Sequence, residues 1–154
     1  MGDAGAAAIV TWVVPQLALM GAVIAAPALQ SGDWPGWLRL LGVALLACGG
    51  ALALAGVRGL GRELTPLPVP RRAAELVETG AYGLVRHPIY GGLVLLAAGW
   101  GLASQSWLTL LLGAALTVLL ERKAAHEEAI LQRRFAAYTG YRHRVRRRLI
   151  PWAW

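Results

Sequence analysis

The sequence predicts an all-α integral membrane protein of about four transmembrane helices, the last two a tight hairpin, with a cytosolic C-terminal helical extension and tail. Three observations lead there. Hydrophobic residues make up 57% of the 154 residues and charged residues only 15%, against about a quarter charged in an ordinary soluble domain. The apolar residues are gathered into long runs, as membrane spans require. The basic residues are gathered as well. Arg122, Lys123, Arg133, Arg134, Arg142, Arg144, Arg146, Arg147 and Arg148 crowd the last stretch against Glu121, Glu127 and Glu128, in a chain of net charge +7. Basic flanks beside apolar spans follow the positive-inside pattern and imply anionic lipid head groups as partners. No nucleic-acid recognition module has room to fold there, which argues against nucleic acid as a partner.

The first apolar run, Ala6 to Leu29, is long enough at 1.5 Å per residue to cross a hydrocarbon core of about 30 Å. Pro15 and Pro27 fall within it or at its end, and membrane helices tolerate such prolines with a kink. No Lys or Arg precedes it, so it is expected to be a retained helix and not a secretory leader. Gln30 to Gly36 reads as a turn, with Trp34 and Trp37 as interface anchors. The second run is Trp37 to Val57, in which Gly42, Ala47, Gly49 and Gly50 suit close helix packing. Cys48 lies in this run and is the chain's one cysteine. It is expected to be a small buried or lipid-facing residue. Residues 1–57 thus form an N-terminal two-helix segment.

Residues 58–154 form the C-terminal region. It opens with a polar segment, Arg58 to Pro88, in which Thr65-Pro66-Leu67-Pro68-Val69-Pro70 is expected to be extended. Long ordered connections of this kind are often functional. The third run, Ile89 to Ala103, and the fourth, Trp107 to Leu120, are short, and only Ser104-Gln105-Ser106 separates them. This predicts a tight hairpin. The fourth helix is expected to continue as an amphipathic extension through Arg122, Glu128 and Phe135, with Gly140 as its stop. Trp152 and Trp154 are expected at the interface. Four spans place both termini and the polar segment on one side. That side collects nearly every Arg and is therefore cytosolic, while Asp33 and Arg39 lie near the other.

Two constellations could carry chemistry. In Arg86-His87-Pro88-Ile89-Tyr90-Gly91-Gly92, Pro88 suits the first turn of a helix. Arg86 and His87 then sit beside the free N–H groups of a helix N-terminus, which favour an anion. Gly91 and Gly92 admit close approach of a ligand or of a neighbouring helix. The blander reading is an ordinary helix start with a snorkelling Arg. In His126-Glu127-Glu128, helical neighbours point about 100° apart, so the two carboxylates cannot face one ligand squarely. Glu128 shares a face with Leu131 and Phe135 and is expected to turn inward. Glu127 is then a partner or supporting group. The bland alternative is a solvated charged face. A metal held by His87, His126 and a Glu matches no metal spacing, and none is expected. Phe135, Tyr138 and Tyr141 recur every third residue, as a packed stripe or as a wall for a flat base or a cationic group. There is no Gly-rich dinucleotide fingerprint and no P-loop.

Taken in order, Gly61-Arg62-Glu63-Leu64-Thr65-Pro66, Leu76-Val77-Glu78-Thr79-Gly80-Ala81-Tyr82, Arg86 to Gly92, Glu127-Glu128, and then Phe135, Tyr138, Tyr141, Val145 and Ile150-Pro151 resemble the isoprenylcysteine carboxyl methyltransferase family. Phospholipid methyltransferases share much of the same C-terminal pattern. The resemblance covers Gly61 to Pro151. It implies a membrane methyltransferase that uses S-adenosylmethionine on a lipophilic, membrane-embedded acceptor, with the carboxylate of an isoprenoid or prenyl-like substrate favoured, since Arg86 beside the site would orient a carboxylate, while Glu127 or Glu128, able to take a proton, leaves an amine acceptor open. Carried over by motif, His87, Tyr90, Gly91, Glu127 and Glu128 hold the cofactor. Tyr82 is cofactor-binding as well, the tail around Tyr138 and Tyr141 closes the adenosine pocket, and Arg86 and Glu128 serve the reacting end. Where the family often has Gly-Pro-Tyr, this chain has Gly80-Ala81-Tyr82, which loosens a turn and removes no functional group. Arg146-Arg147-Arg148 is expected to contact lipid head groups.

Two other functions compete. A membrane reductase of the sterol-reductase type would use NADPH and meet its phosphates with the Arg cluster. A small four-helix transporter would place an acidic residue within a span, whereas Glu127 and Glu128 lie beyond the fourth apolar run.

Overall fold

A computed structural model describes residues 7–61, 64 and 76–151. The expected extended stretch Thr65 to Pro70 and the terminal Trp152 and Trp154 lie outside the described residues. Six α-helices appear among those described. Helix α1, Val14–Ala25, is led in by a π-helical turn at Ile9–Val13 and continues into a 3-10 turn at Ala26–Ala28. Pro15 stands in its first turn and Pro27 in the 3-10 turn. Both lie within one continuous helical run, Ile9–Ala28, at the places where its hydrogen-bond pattern changes between π, α and 3-10. Helix α2 is Gly36–Leu60, α3 is Ala81–Leu84, α4 is Pro88–Ala103, α5 is Trp107–Arg134 and α6 is Tyr138–Arg144. Ile9–Ala28 and Gly36–Leu60 are each long and apolar enough to cross a membrane.

The four long helices run up and down as antiparallel neighbours. α2 and α4 share the most extensive contact, and three glycines explain it. A Cβ on Gly42 would lie 2.5 Å from the Ala103 nitrogen. One on Gly49 would lie 2.8 Å from the Gly92 oxygen, and one on Gly56 2.8 Å from Ile89 Cγ1. Seven residues bring a helix back to nearly the same face, so this row lets two backbones touch along their length. Ala47 and Gly50, which the sequence grouped with these, are not in the seam: Ala47 is exposed and nothing approaches Gly50.

The hairpin between α4 and α5 turns at Ser104–Ser106, as expected. Ser106 caps α5 by accepting a hydrogen bond from the Thr109 N–H on its hydroxyl, at 3.2 Å. The buried Gln105 accepts from Arg39 at 2.6 Å and donates to the Trp34 carbonyl at 2.8 Å. Gln30 accepts from Ser106 and from the Leu108 N–H. One end of the bundle is thereby closed by polar contacts from the α1–α2 turn.

The other end adds one element and overturns one expectation. The polar segment contains a helical turn, α3, entered through Gly80 at φ +62°, a conformation glycine adopts without strain. Ala81 is its first residue, which explains why a proline is dispensable there. Gly140 does not stop α5. The helix ends at Arg134, Phe135 turns extended (φ −116°, ψ 112°), and Gly140 lies inside α6. Phe135 leaves the helix because it packs with Tyr138, Tyr141 and Val145.

Candidate functional site

At the end of the bundle opposite the hairpin, the start of α4, the extension of α5 and the tail after α6 converge. Val85 is extended (φ −142°, ψ 152°) and fully buried, which turns the next two residues toward the tail. The Arg86 N–H donates to the Arg147 carbonyl at 3.0 Å and the His87 N–H to the Arg148 carbonyl at 2.8 Å. Pro88 then begins α4. One turn on, a Cβ on Gly91 would lie 1.8 Å from the Leu149 carbonyl oxygen, so the tail backbone rests directly on this glycine. Gly92 faces Ala53 of α2 in the same manner, with a Cβ only 2.6 Å from the Ala53 Cβ. At both positions protein backbone, not open space, explains the glycine.

Arg86 is buried, and its guanidinium is engaged. Its Nε donates to Glu128 Oε1 at 2.8 Å, and its Nη1 to the carbonyls of Val145 at 2.8 Å and Arg146 at 2.6 Å. Glu128 is buried as expected. It also accepts from Arg148, whose Nε lies 3.1 Å from Oε1 and whose Nη2 lies 3.2 Å from Oε2, while Nη1 reaches Glu121 at 2.9 Å. Arg148 is therefore turned inward, unlike the lipid contact expected of the whole cluster. Only Arg146 and Arg147 of the three remain exposed.

Glu127 has different company. Its Oε1 accepts from the Tyr90 hydroxyl at 2.6 Å, and its Oε2 lies 3.5 Å from His87 Nδ1. The His87 and Tyr90 rings lie parallel, 5.6 Å apart. His87 Nε2 is 3.3 Å from Glu128 Oε1, close enough for attraction but poorly aligned for a hydrogen bond. The two carboxylates diverge as helix geometry demands, yet the imidazole bridges them.

Their environments drive them apart electrostatically. For Glu128, burial pushes the pKa up, but the contacts from His87, Arg86 and Arg148 together outweigh it and bring the pKa down to about 2. For Glu127, burial dominates and raises the pKa, opposed only in part by His87, Tyr90, Lys123 and His126. Two adjacent carboxylates with opposed shifts suit different tasks, one a fixed charge and the other a proton acceptor.

Tyr82, Tyr138 and Tyr141 lie together beside this pair. The Tyr141 hydroxyl donates to the Tyr82 carbonyl at 2.7 Å, and the Tyr138 and Tyr141 rings meet edge to face at 5.7 Å. Burial raises the pKa of all three hydroxyls. Among the described residues, the Tyr138 hydroxyl and Glu121 Oε1 are buried without a hydrogen-bond partner. Outside the tail, Arg144 pairs with Glu78 and ties α6 to the segment before α3.

α1 also reaches the site, which sequence reasoning missed. The buried Lys123 donates to Gln16 at 2.8 Å and lies 5.2 Å from the centre of the Tyr90 ring. His126 stacks on Trp12, in the π-helical turn that leads into α1, at 5.4 Å. Among the described residues no group of three or more His, Cys, Asp or Glu could hold a metal. Spacing carried part of this signal. Glu121 precedes Glu128 by seven residues and Lys123 precedes Glu127 by four, so each pair shares a helix face. Nothing in the run Arg146-Arg147-Arg148 distinguishes its third member.

The model of the phospholipid methyltransferase family matches residues 37–138. The chain belongs to this family. It is an S-adenosylmethionine-dependent membrane methyltransferase acting on a lipid-type substrate. No curated protein matches it. In this phospholipid methyltransferase family member the matched span runs from the start of α2 to Tyr138. It takes in Tyr82, Arg86, His87, Tyr90, Gly91, Glu127 and Glu128, and leaves Tyr141 and Arg148 beyond it.

Proposed function

We propose that this enzyme methylates the amine head group of a phospholipid, at the junction of α4, α5 and the tail. The observation that carries this reading is the unequal pairing of the two carboxylates. Glu128 is held by two guanidiniums, while Glu127 accepts from the Tyr90 hydroxyl and lies beside the His87 imidazole. A phospholipid amine must lose a proton before it can act as a nucleophile, and Glu127 is the carboxylate left to receive it. The sequence favoured a carboxylate acceptor because of Arg86, as in the isoprenylcysteine carboxyl methyltransferases. Arg86 is committed to Glu128 and two tail carbonyls, which shifts the preference to an amine.

The residues fit S-adenosylmethionine in kind. Carboxylates suit its ammonium, tyrosine faces suit its adenine and sulfonium, and Tyr138 and Glu121 each have a buried polar atom without a partner. We assign His87, Tyr90, Gly91, Glu127, Glu128, Tyr82, Tyr138 and Tyr141 to the surroundings of the cofactor. Gly91 acts there by seating the tail. When bound, the cofactor supplies an electrophilic methyl group: the nitrogen lone pair forms the new N–C bond as the C–S bond breaks and sulfur keeps its electron pair as a thioether. Glu127 takes the amine proton. Tyr90 and His87 orient Glu127, and Arg86 and Arg148 keep Glu128 ionised and hold the tail over the site. The packed tail excludes water, and alignment supplies most of the rate.

The same reading places four spans in the bilayer, α1, α2, α4 and the apolar half of α5, with the site and the exposed Arg146 and Arg147 on the cytosolic side, beside anionic head groups. The test is methyl transfer from labelled S-adenosylmethionine to phosphatidylethanolamine and, in parallel, to a prenylated cysteine. Label in the phospholipid amine supports the proposal. A base-labile methyl ester on the prenylated cysteine would restore the carboxylate reading.

A further inference from the structure

α1 packs on α5 and α2 packs on α4, while α1 and α2 make at most marginal contact. The gap between them is a cavity of about 250 Å³ with an entirely apolar lining that includes Met20, Val23, Leu93, Leu96, Trp100 and Leu116. Ile24 and Trp100 at its rim are exposed. One wall residue links it to the polar cluster. Met20, a wall residue, has its sulfur 3.9 Å from the Gln16 amide, and the same Gln16 accepts from Lys123. Tyr90 and Leu93 pack against the same core that lines the cavity.

Lys123 and Glu127 carry opposite charges one helical turn apart, both beside Tyr90. A phosphoethanolamine head group carries the complementary pair, a phosphate and an ammonium separated by two methylenes. We infer that Lys123 and Gln16 form the phosphate site of the substrate lipid, with its amine directed to Glu127 and one acyl chain lying in the cavity between α1, α2, α4 and α5. The phosphate takes over the hydrogen bond that Lys123 makes to Gln16. Lys123 is a positioning residue, because it touches the head group and not the transferred methyl. A fully apolar cavity with exposed residues at its rim, whose wall residue Met20 meets the Gln16 that a buried lysine also holds, matches a phospholipid better than a soluble amine. The inference rests on the proposed amine methylation, and binding and turnover separate the two.

The experiment uses the full chain in mixed micelles. Two probes are compared: phosphatidylethanolamine, and a diacyl lipid with the same aminoethyl group on an ether oxygen in place of the phosphate. Each is measured for equilibrium binding and for methylation. Lys123→Gln is expected to weaken phosphatidylethanolamine binding and raise its KM roughly tenfold or more, the loss of a charge-assisted contact. Its kcat and cofactor affinity stay near wild type, the phosphate-free lipid is unaffected, and Lys123→Arg restores KM. Leu96→Trp, which fills the cavity, shifts preference to shorter acyl chains. An unchanged KM in Lys123→Gln overturns the inference, as does an equal rise for the phosphate-free lipid, which marks a merely structural role. Phosphate-dependent binding without turnover keeps this site and removes the proposed reaction.

Discussion

Replacing Gly91 by alanine is the sharpest perturbation the fold offers. The new Cβ would lie 1.8 Å from the Leu149 carbonyl oxygen and 2.8 Å from its carbon. Backbone cannot swing aside as a side chain can, so the tail must retreat by more than about 1 Å, or α4 must shift, in an interior with no slack. Overpacking of this kind costs about 1–3 kcal/mol. If the tail detaches instead, the four hydrogen bonds from Arg86 and His87 to residues 145–148 are lost with it, at about 1 kcal/mol each. Either route removes Arg148 from Glu128. The expected outcome is a cofactor affinity at least roughly tenfold weaker, measured by calorimetry in detergent, with the α2–α4 seam intact. Gly50→Ala is the control. Nothing lies within 4 Å of its Cβ position, and replacing a helical glycine there should be neutral or stabilise by up to about 1 kcal/mol. Wild-type cofactor affinity in Gly91→Ala would refute the claim that the tail seated on this glycine forms part of the site.

Five further outcomes are expected. Glu127→Gln should abolish most methyl transfer, with kcat falling far more than lipid affinity. Because the Glu127 pKa is raised, wild-type activity should climb with pH through a range above that of an ordinary carboxylate, and a limb confined below pH 4 would contradict this. The pKa of Glu128 is depressed to about 2, so its contribution to stability is full above the unfolded-state value near 4.5 and fades as pH falls toward 2. Tail protection in hydrogen exchange should weaken across that window. Arg148→Gln should weaken cofactor binding more than Arg147→Gln, since only Arg148 is turned onto Glu128; equal effects would return both to lipid contact. Gly49→Leu should disrupt the α2–α4 seam and lower the melting temperature in detergent, whereas Ala47→Leu on the exposed face should not.

Much of this arrangement was legible in the sequence. The apolar runs gave the helices, three polar residues between two runs gave the hairpin, and a hairpin returns Glu127 and Glu128 to the level of Arg86 and His87. Glu128 could be turned inward from its spacing to Leu131 and Phe135 alone. Tertiary contacts hid the rest. Gly140 looked like a helix stop by local preference, but burying Phe135 among the tyrosines ends α5 earlier. Arg148 looked like its two neighbours because one residue of register in an irregular tail decides which arginine turns inward. Gly91 read as room for a ligand or a neighbouring helix, because a glycine beside a motif does not disclose that the chain's own tail fills the space. Lys123 passed as one more cation, since burial against α1 depends on a helix more than a hundred residues away.

The central claim is that the Glu127 end of this site methylates a phospholipid amine. Its most direct test is transfer of a labelled methyl group from S-adenosylmethionine to phosphatidylethanolamine in mixed micelles, wild type beside Glu127→Gln, with the lipid products resolved by mass spectrometry. The expected result is a head group heavier by one or more methyl groups with wild type, and loss of most of that product with the variant while cofactor binding is measurable. A wild-type enzyme that binds the cofactor and leaves the amine unmethylated, or a variant as active as wild type, would contradict it.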